Sequence, residues 1–295
     1  MGYLFLMIAL LAGAAKGYCG KKTSGYTDSF GDAILANGIR MTLCIVIGFV
    51  IVLVSGDVST LIPSAKMLGI SALSGIFTAV FVVTWLISVK KSAYMMVDIF
   101  LMLGVLIPLL ASNIFFGETI KATQWLGIAL LFVAVLLMCS YNNAIKTKLS
   151  PSALFLLLLC GVSSGIADFS QKLFTKCIQD SSAATFNLYT YLFAALILMV
   201  FFGVTHKKGE VVDGQKVKKI FGFILIMAIC LFANSFFKTL ASGYLDAVLL
   251  YPLNQGCALI LSAVMASTFF KEKLTGKAIL GILIAFAGLL VINLL

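Results

Sequence analysis

Apolar stretches of about twenty residues recur ten times along this chain, at 2–20, 33–54, 67–89, 94–116, 122–141, 152–172, 185–205, 220–242, 245–270 and 276–294. A hydrocarbon core about 30 Å thick takes about 20 apolar residues of helix to cross. That recurrence leaves few folds open. Backbone groups in lipid find partners only within a helix or a closed barrel, and no barrel-like alternation runs through these stretches. The expected class is an all-α integral membrane protein with ten transmembrane helices. Hydrophobic residues make up 62% of the 295 and charged residues 11%, against about 45–50% and about 25% in soluble domains. The remaining polar surface cannot cover a water-soluble core. The only sizeable polar connection is 206–219. Residues 3–15 also read as a signal-peptide core, but Lys21 and Lys22 follow the run instead of leading it, so it is expected to remain as the first span.

The formal charge of +10 would suggest a nucleic-acid partner in a soluble protein. Here the basic residues fall between apolar runs, as at Lys90-Lys91, Lys207-Lys208 and Lys218-Lys219, where they orient spans and meet anionic headgroups. No nucleic-acid partner is expected. Seven widely spaced cysteines without a Cys-x-x-Cys argue against a disulfide framework or zinc site. The one histidine, His206, sits in a Lys-rich loop without ligating neighbours. No metal or cofactor is expected, and an integral-membrane enzyme lacks the clustered acids or nucleophile it would need.

Internal repetition organises the chain. Residues 115–138 align without a gap to 269–292, with eight of 24 positions identical, including Phe115/Phe269, Phe116/Phe270, Glu118/Glu272 and Gly127/Gly281. Upstream, Tyr18-Cys-Gly-Lys21 pairs more weakly with Phe169-Ser-Gln-Lys172. The expected domains are a five-helix half at 1–149 and another at 150–295. Five spans are an odd number, so the second half enters the membrane from the side opposite to the first. The fold is therefore two inverted five-helix repeats, a skeleton of secondary transporters with the site between the halves. Connections 1–2, 3–4, 5–6, 7–8 and 9–10 hold fourteen of the 21 Lys and Arg residues, the others three. The positive-inside rule then puts both termini outside the cytoplasm.

Ionisable groups inside hydrocarbon are costly and mark functional positions. Lys16 falls on a stripe with Gly13, Gly17 and Gly20, and Asp168 and Lys172 on one with Gly161 and Gly165; small residues at such spacing let helices approach closely. Structural readings stand beside the functional ones: Lys16 snorkelling toward Lys21 and Lys22, Asp168 neutralising Lys172, Arg40 pairing with Asp32 or a helix-end carbonyl. Asn234 and Lys238 share a face of the eighth span. Tyr251, Asn254 and Gln255 share one on the ninth, next to Pro252, whose missing N–H is expected to kink the helix. The candidate substrate-binding set is Lys16, Arg40, Asp168, Lys172, Asn234, Lys238, Tyr251, Asn254 and Gln255. Trp85 is expected in an interfacial belt, and Glu118 and Glu272 are expected to cap the helix that follows them or fix the loop.

Phe115-Phe-Gly-Glu118 with Gly127, Phe269-Phe-Lys-Glu272 with Gly281 and Gly288, and Arg40 early in the second span together resemble the drug/metabolite transporter superfamily in its ten-helix EamA-type form. Ala247–Leu253, Gly256, Glu272-Lys-Leu274 and Ala287–Leu295, with Met1–Leu6 through Ala9, also resemble the small multidrug resistance branch. That branch's acidic first-helix position falls on Gly13 here and on Ser164 in the second half, so its role is not carried over. The resemblance implies a secondary-active transporter in a cell membrane, a bacterial inner membrane by expectation. Its partners are the lipid bilayer and a small-molecule substrate, with the proton a candidate coupling ion. Lys16, Arg40, Lys172 and Lys238 outnumber Asp98 and Asp168, which favours export of amino acids or other organic anions. A proton-coupled exporter of cationic amines, gripped by Asp168 and Tyr251, stays open, as does a non-transporting structural or regulatory membrane protein.

Overall fold

A computed structural model describes residues 1–27, 29–91, 94–144, 150–205, 214–271 and 276–294. Their α-helices are α1 (Gly2–Ser24), α2 (Phe30–Ser55), α3 (Ala65–Lys91), α4 (Tyr94–Gly104), α5 (Leu106–Phe116), α6 (Ala122–Ala144), α7 (Pro151–Cys177), α8 (Ala183–Thr205), α9 (Gly214–Tyr244), α10 (Ala247–Thr268) and α11 (Gly276–Leu294). A single 3₁₀ turn, Asp57–Leu61, follows α2. With α4 and α5 counted as one crossing, these are ten spans, and the chain is a multi-pass membrane protein. Residues 145–149 and 206–213, which include His206 and several of the basic residues counted above, lie outside the described residues, as does Glu272.

Local chemistry sets the ends. Ser29 and Asp32 close a reciprocal capping box at the start of α2, which satisfies two of the backbone donors a helix leaves open there. At α7 the Ser150 hydroxyl accepts from the Ala153 N–H at 3.2 Å, with Pro151 as the first helical residue. The fourth span is broken at Val105, where a continuous helix was expected. Pro108 has no N–H to give the Gly104 carbonyl and its ring crowds that group, so the helix parts one residue later. α10, by contrast, runs through Pro252.

The halves interlock in a pattern that survives exchanging them. α1 packs on α9 as α3 packs on α7, and α3 meets α8 as α2 meets α9. Three pairings map onto themselves: α2 with α8, α6 with α11, and α4–α5 with α10. This is the two-fold relation expected of inverted repeats. Small residues carry the closest approaches. A Cβ on Gly127 would lie 2.8 Å from the Gly288 carbonyl, and one on Gly288 2.8 Å from the Gly127 carbonyl, so α6 and α11 touch backbone to backbone. Gly2 lies against Tyr244 and Leu245, which places the start of α1 and the end of α9 at one membrane face, called the terminal face below.

Candidate functional site

A cavity of about 110 Å³ lies between the halves, walled by α1, α3 and α4 from the first and α7, α8, α9 and α10 from the second. On the same measure one water occupies about 10–15 Å³. The space therefore suits a solute of several non-hydrogen atoms, not a large drug.

Six of the nine candidate residues line it: Lys16, Asp168, Asn234, Lys238, Asn254 and Gln255. Lys16 does not snorkel toward Lys21 and Lys22. Its ammonium sits over the Phe81 ring, 5.8 Å from the centroid, a cation–π contact, and has no ion pair among the described residues. Asp168 does not neutralise Lys172, its neighbour one turn along α7. It pairs instead with Lys238 across the gap to α9, both side chains nearly fully buried. Asn234 donates to the Ala9 carbonyl at 2.6 Å and ties α9 to α1.

Three candidates stand off the cavity. Arg40 is 2% exposed on α2, close to Cys44 and to Tyr191, which does line the cavity. It makes no ion pair among the described residues; Asp32, the partner considered for it, serves the α2 cap. Tyr251 donates its hydroxyl to the Asp168 carbonyl at 2.7 Å and pins α10 to α7. Lys172, 1% exposed, turns toward the terminal face and pairs with Glu118 at 2.9 Å.

Other lining residues come from outside the candidate set. Asp98 on α4 faces the cavity beside Ser262 and within electrostatic reach of Lys16. Its charge near the start of an apolar span was the available signal. Trp85, expected at a membrane interface, is buried on the cavity wall with its ring against Gly20. Gln171 donates to Ser235 at 3.0 Å, and Ser235 to Asn187 at 2.6 Å. The side-chain oxygens of Gln171 and Asn254 are buried without a hydrogen-bond partner, and both residues line the cavity. A buried acceptor left open carries a cost of about 1–3 kcal/mol, which a donor-bearing ligand or water in the cavity removes.

Helix geometry sets these groups at two depths. With about 1.5 Å of rise per residue, Lys16 lies about 21 Å from the start of α1, while Lys238 lies about 9 Å from the end of α9 at the same face. One cavity thus holds an ion pair toward the terminal face and, deeper in, a lysine that is in no ion pair among the described residues.

At the terminal face, Glu118 does not cap the helix after it. The start of α6 is served by Gln124, whose side chain accepts from the Lys121 N–H at 3.0 Å. Glu118 reaches the other half, accepting from the Ala247 N–H at 2.8 Å at the start of α10 and pairing with Lys172 and, at 3.2 Å, Lys176. Burial works to raise the pKa of this carboxyl, but hydrogen bonds from Lys172 and Ala247 outweigh it and hold the group below the ordinary carboxylate range.

A solved crystal structure, described simply as that of a protein, is similar to this chain over 99% of its length and 96% of that chain's, with a TM-score of 0.74 and 15% identity. At that identity the likeness speaks to the fold alone. A comparison with curated proteins returns no match. The model of the EamA-like transporter family matches residues 1–140 and again residues 151–294, and with both halves matched the chain belongs to the EamA-like transporter family.

Proposed function

We propose that this protein is a secondary-active transporter that exports small carboxylate-bearing metabolites, amino acids or other organic anions, by alternating access of the cavity between its halves, taken as 1–149 and 150–295. The observation that carries this reading is Lys16, a cation on the cavity wall that forms no ion pair among the described residues, with Asp98 within electrostatic reach but not in contact. Lys238 is neutralised by Asp168, while Arg40 behind Tyr191 adds a second cation near Lys16. A charge in such a site is expensive until something of opposite sign joins it, and a substrate carboxylate does so. The open oxygens of Gln171 and Asn254 then accept from an amine or hydroxyl at the other end of the same molecule. Asn234, Lys238, Tyr251 and Gln255 shape and brace the site. Lys172 belongs to its closure.

Cationic amines have less support, because the carboxylate assigned to hold them, Asp168, is already engaged. The basic loops set both termini outside the cytoplasm in this reading. Counterflow in proteoliposomes tests it. Vesicles loaded with an unlabelled amino acid or organic anion should take up the labelled form, and Lys16→Gln should abolish the uptake. Equal uptake by wild type and Lys16→Gln would reject the assigned site.

A further inference from the structure

We propose that Glu118 is the latch of a gate, holding the terminal face shut across the two halves, and that its release opens that face while the opposite face closes. The proposal rests on the alternating-access reading but not on the identity of the cargo.

Glu118 belongs to the first half; everything its carboxylate holds among the described residues belongs to the second. Lys172 on α7, Lys176 one turn further and the Ala247 N–H at the head of α10 converge on it at 2.9, 3.2 and 2.8 Å. Lys172 also donates to the Ser242 and Leu245 carbonyls, at 3.2 and 2.8 Å, where α9 ends. One carboxylate and one ammonium thus fasten the ends of α7 and α9, the head of α10 and the corner after α5. These elements wall the cavity or directly continue its walls. The cluster lies at the terminal end of the cavity, beyond Gln171 and Asn254. A solute passing this face must part these groups.

A backbone feature repeated in the two halves argues that the corner is built for this and is not an incidental staple. Gly117, just before Glu118, has φ 66°, and Lys271, at the matching place in the second half, has φ 53°. A lysine held left-handed costs about 1–2 kcal/mol, and such strain persists only where the surroundings over-determine it. At the opposite face Lys21, which pairs in sequence with Lys172, donates to the Val89 carbonyl near the end of α3 at 3.0 Å. This repeats the Lys172 contact at the end of α9. In an inverted repeat, matching corners sit at opposite membrane faces, so this lysine contact and this left-handed turn recur at both faces among the described residues. Charge-assisted bonds of this kind are strong enough to hold a state yet few enough to exchange.

Amide hydrogen exchange on ligand-free protein in nanodiscs tests the latch. In Glu118→Gln, amides at 247–250 should exchange about tenfold faster, while amides at 20–24 and 86–90, at the other face, exchange about twofold more slowly. Lys176→Met, which removes only the half-exposed partner, should show the same reciprocal pattern at smaller amplitude, and it serves if Glu118→Gln does not fold. Unchanged exchange at 247–250 overturns the proposal. So does faster exchange there without slowing at the opposite face, which is what a static staple would give. No solute is added, so a failure here is separate from a failure of the carboxylate site.

Discussion

Lys238 is ion-paired with Asp168, so of the two lysines on the cavity wall only Lys16 forms no ion pair among the described residues. The two lysines should therefore answer mutation in opposite directions.

Breaking the pair leaves one uncompensated charge in a buried place. Asp168→Asn or Lys238→Gln should each destabilise the purified protein by about 3–5 kcal/mol. Removing both partners should cost clearly less than the sum of the single changes. Denaturation midpoints of the four proteins in one detergent check this, and strict additivity would mean that the two side chains do not depend on each other.

Lys16→Met removes a charge that lacks a partner and keeps the aliphatic stem against Phe81. The ligand-free protein should hold or raise its melting temperature, in contrast to Lys238→Met. A fall as large as that of Lys238→Met would show that Lys16 is braced by a contact absent from this structure.

Glu118 sits outside the spans with its pKa held below the ordinary carboxylate range. Its contribution is therefore complete at pH values above that ordinary range, about 4.3 for glutamate. It is lost as the pH falls through the lowered value. Protection of the amides of 247–250, taken relative to their intrinsic exchange rates, should fall on acidification through that window in wild type. In Glu118→Gln exchange there should follow only the intrinsic pH dependence of amide exchange.

Lys271 has the left-handed backbone that Gly117 has in the other half. Lys271→Gly should relieve strain and stabilise by up to about 1 kcal/mol, less whatever entropy glycine adds to the unfolded chain, while Gly117→Ala should destabilise by a similar amount. Thermal melts of the two variants read both signs.

The spans were legible because hydropathy at helical length is a strong signal, and the two-fold relation because Phe-Phe-x-Glu repeats at a fixed offset. The break at Val105 was harder to see. Pro108 and Pro252 look alike in sequence, yet only the first span parts, at a place where Gly104 lies against Gly161 and Gly165. Lys16, Asp168, Asn234, Lys238, Asn254 and Gln255 could be picked out as polar groups in an apolar setting. Their partners could not. An i,i+4 spacing makes Asp168 and Lys172 look like a pair, but side-chain direction on α7 sends one to Lys238 and the other to Glu118. Pairing across the bundle depends on which helices become neighbours, and neighbours 70 residues apart in sequence leave no local trace. Glu118 was misread for the same reason: the helix it caps is α10, not the one that follows it.

The claim at the centre is that the cavity binds a carboxylate through Lys16. The most direct measurement is a thermal-shift titration of wild type and Lys16→Gln with amino acids and organic acids, each beside its methyl ester. Ligands that bind the folded state raise its melting temperature by mass action. Free acids should shift wild type, their esters should shift it little, and neither should shift Lys16→Gln. Esters that shift wild type as much as the acids, or a Lys16→Gln protein that still responds to the acids, would contradict the account.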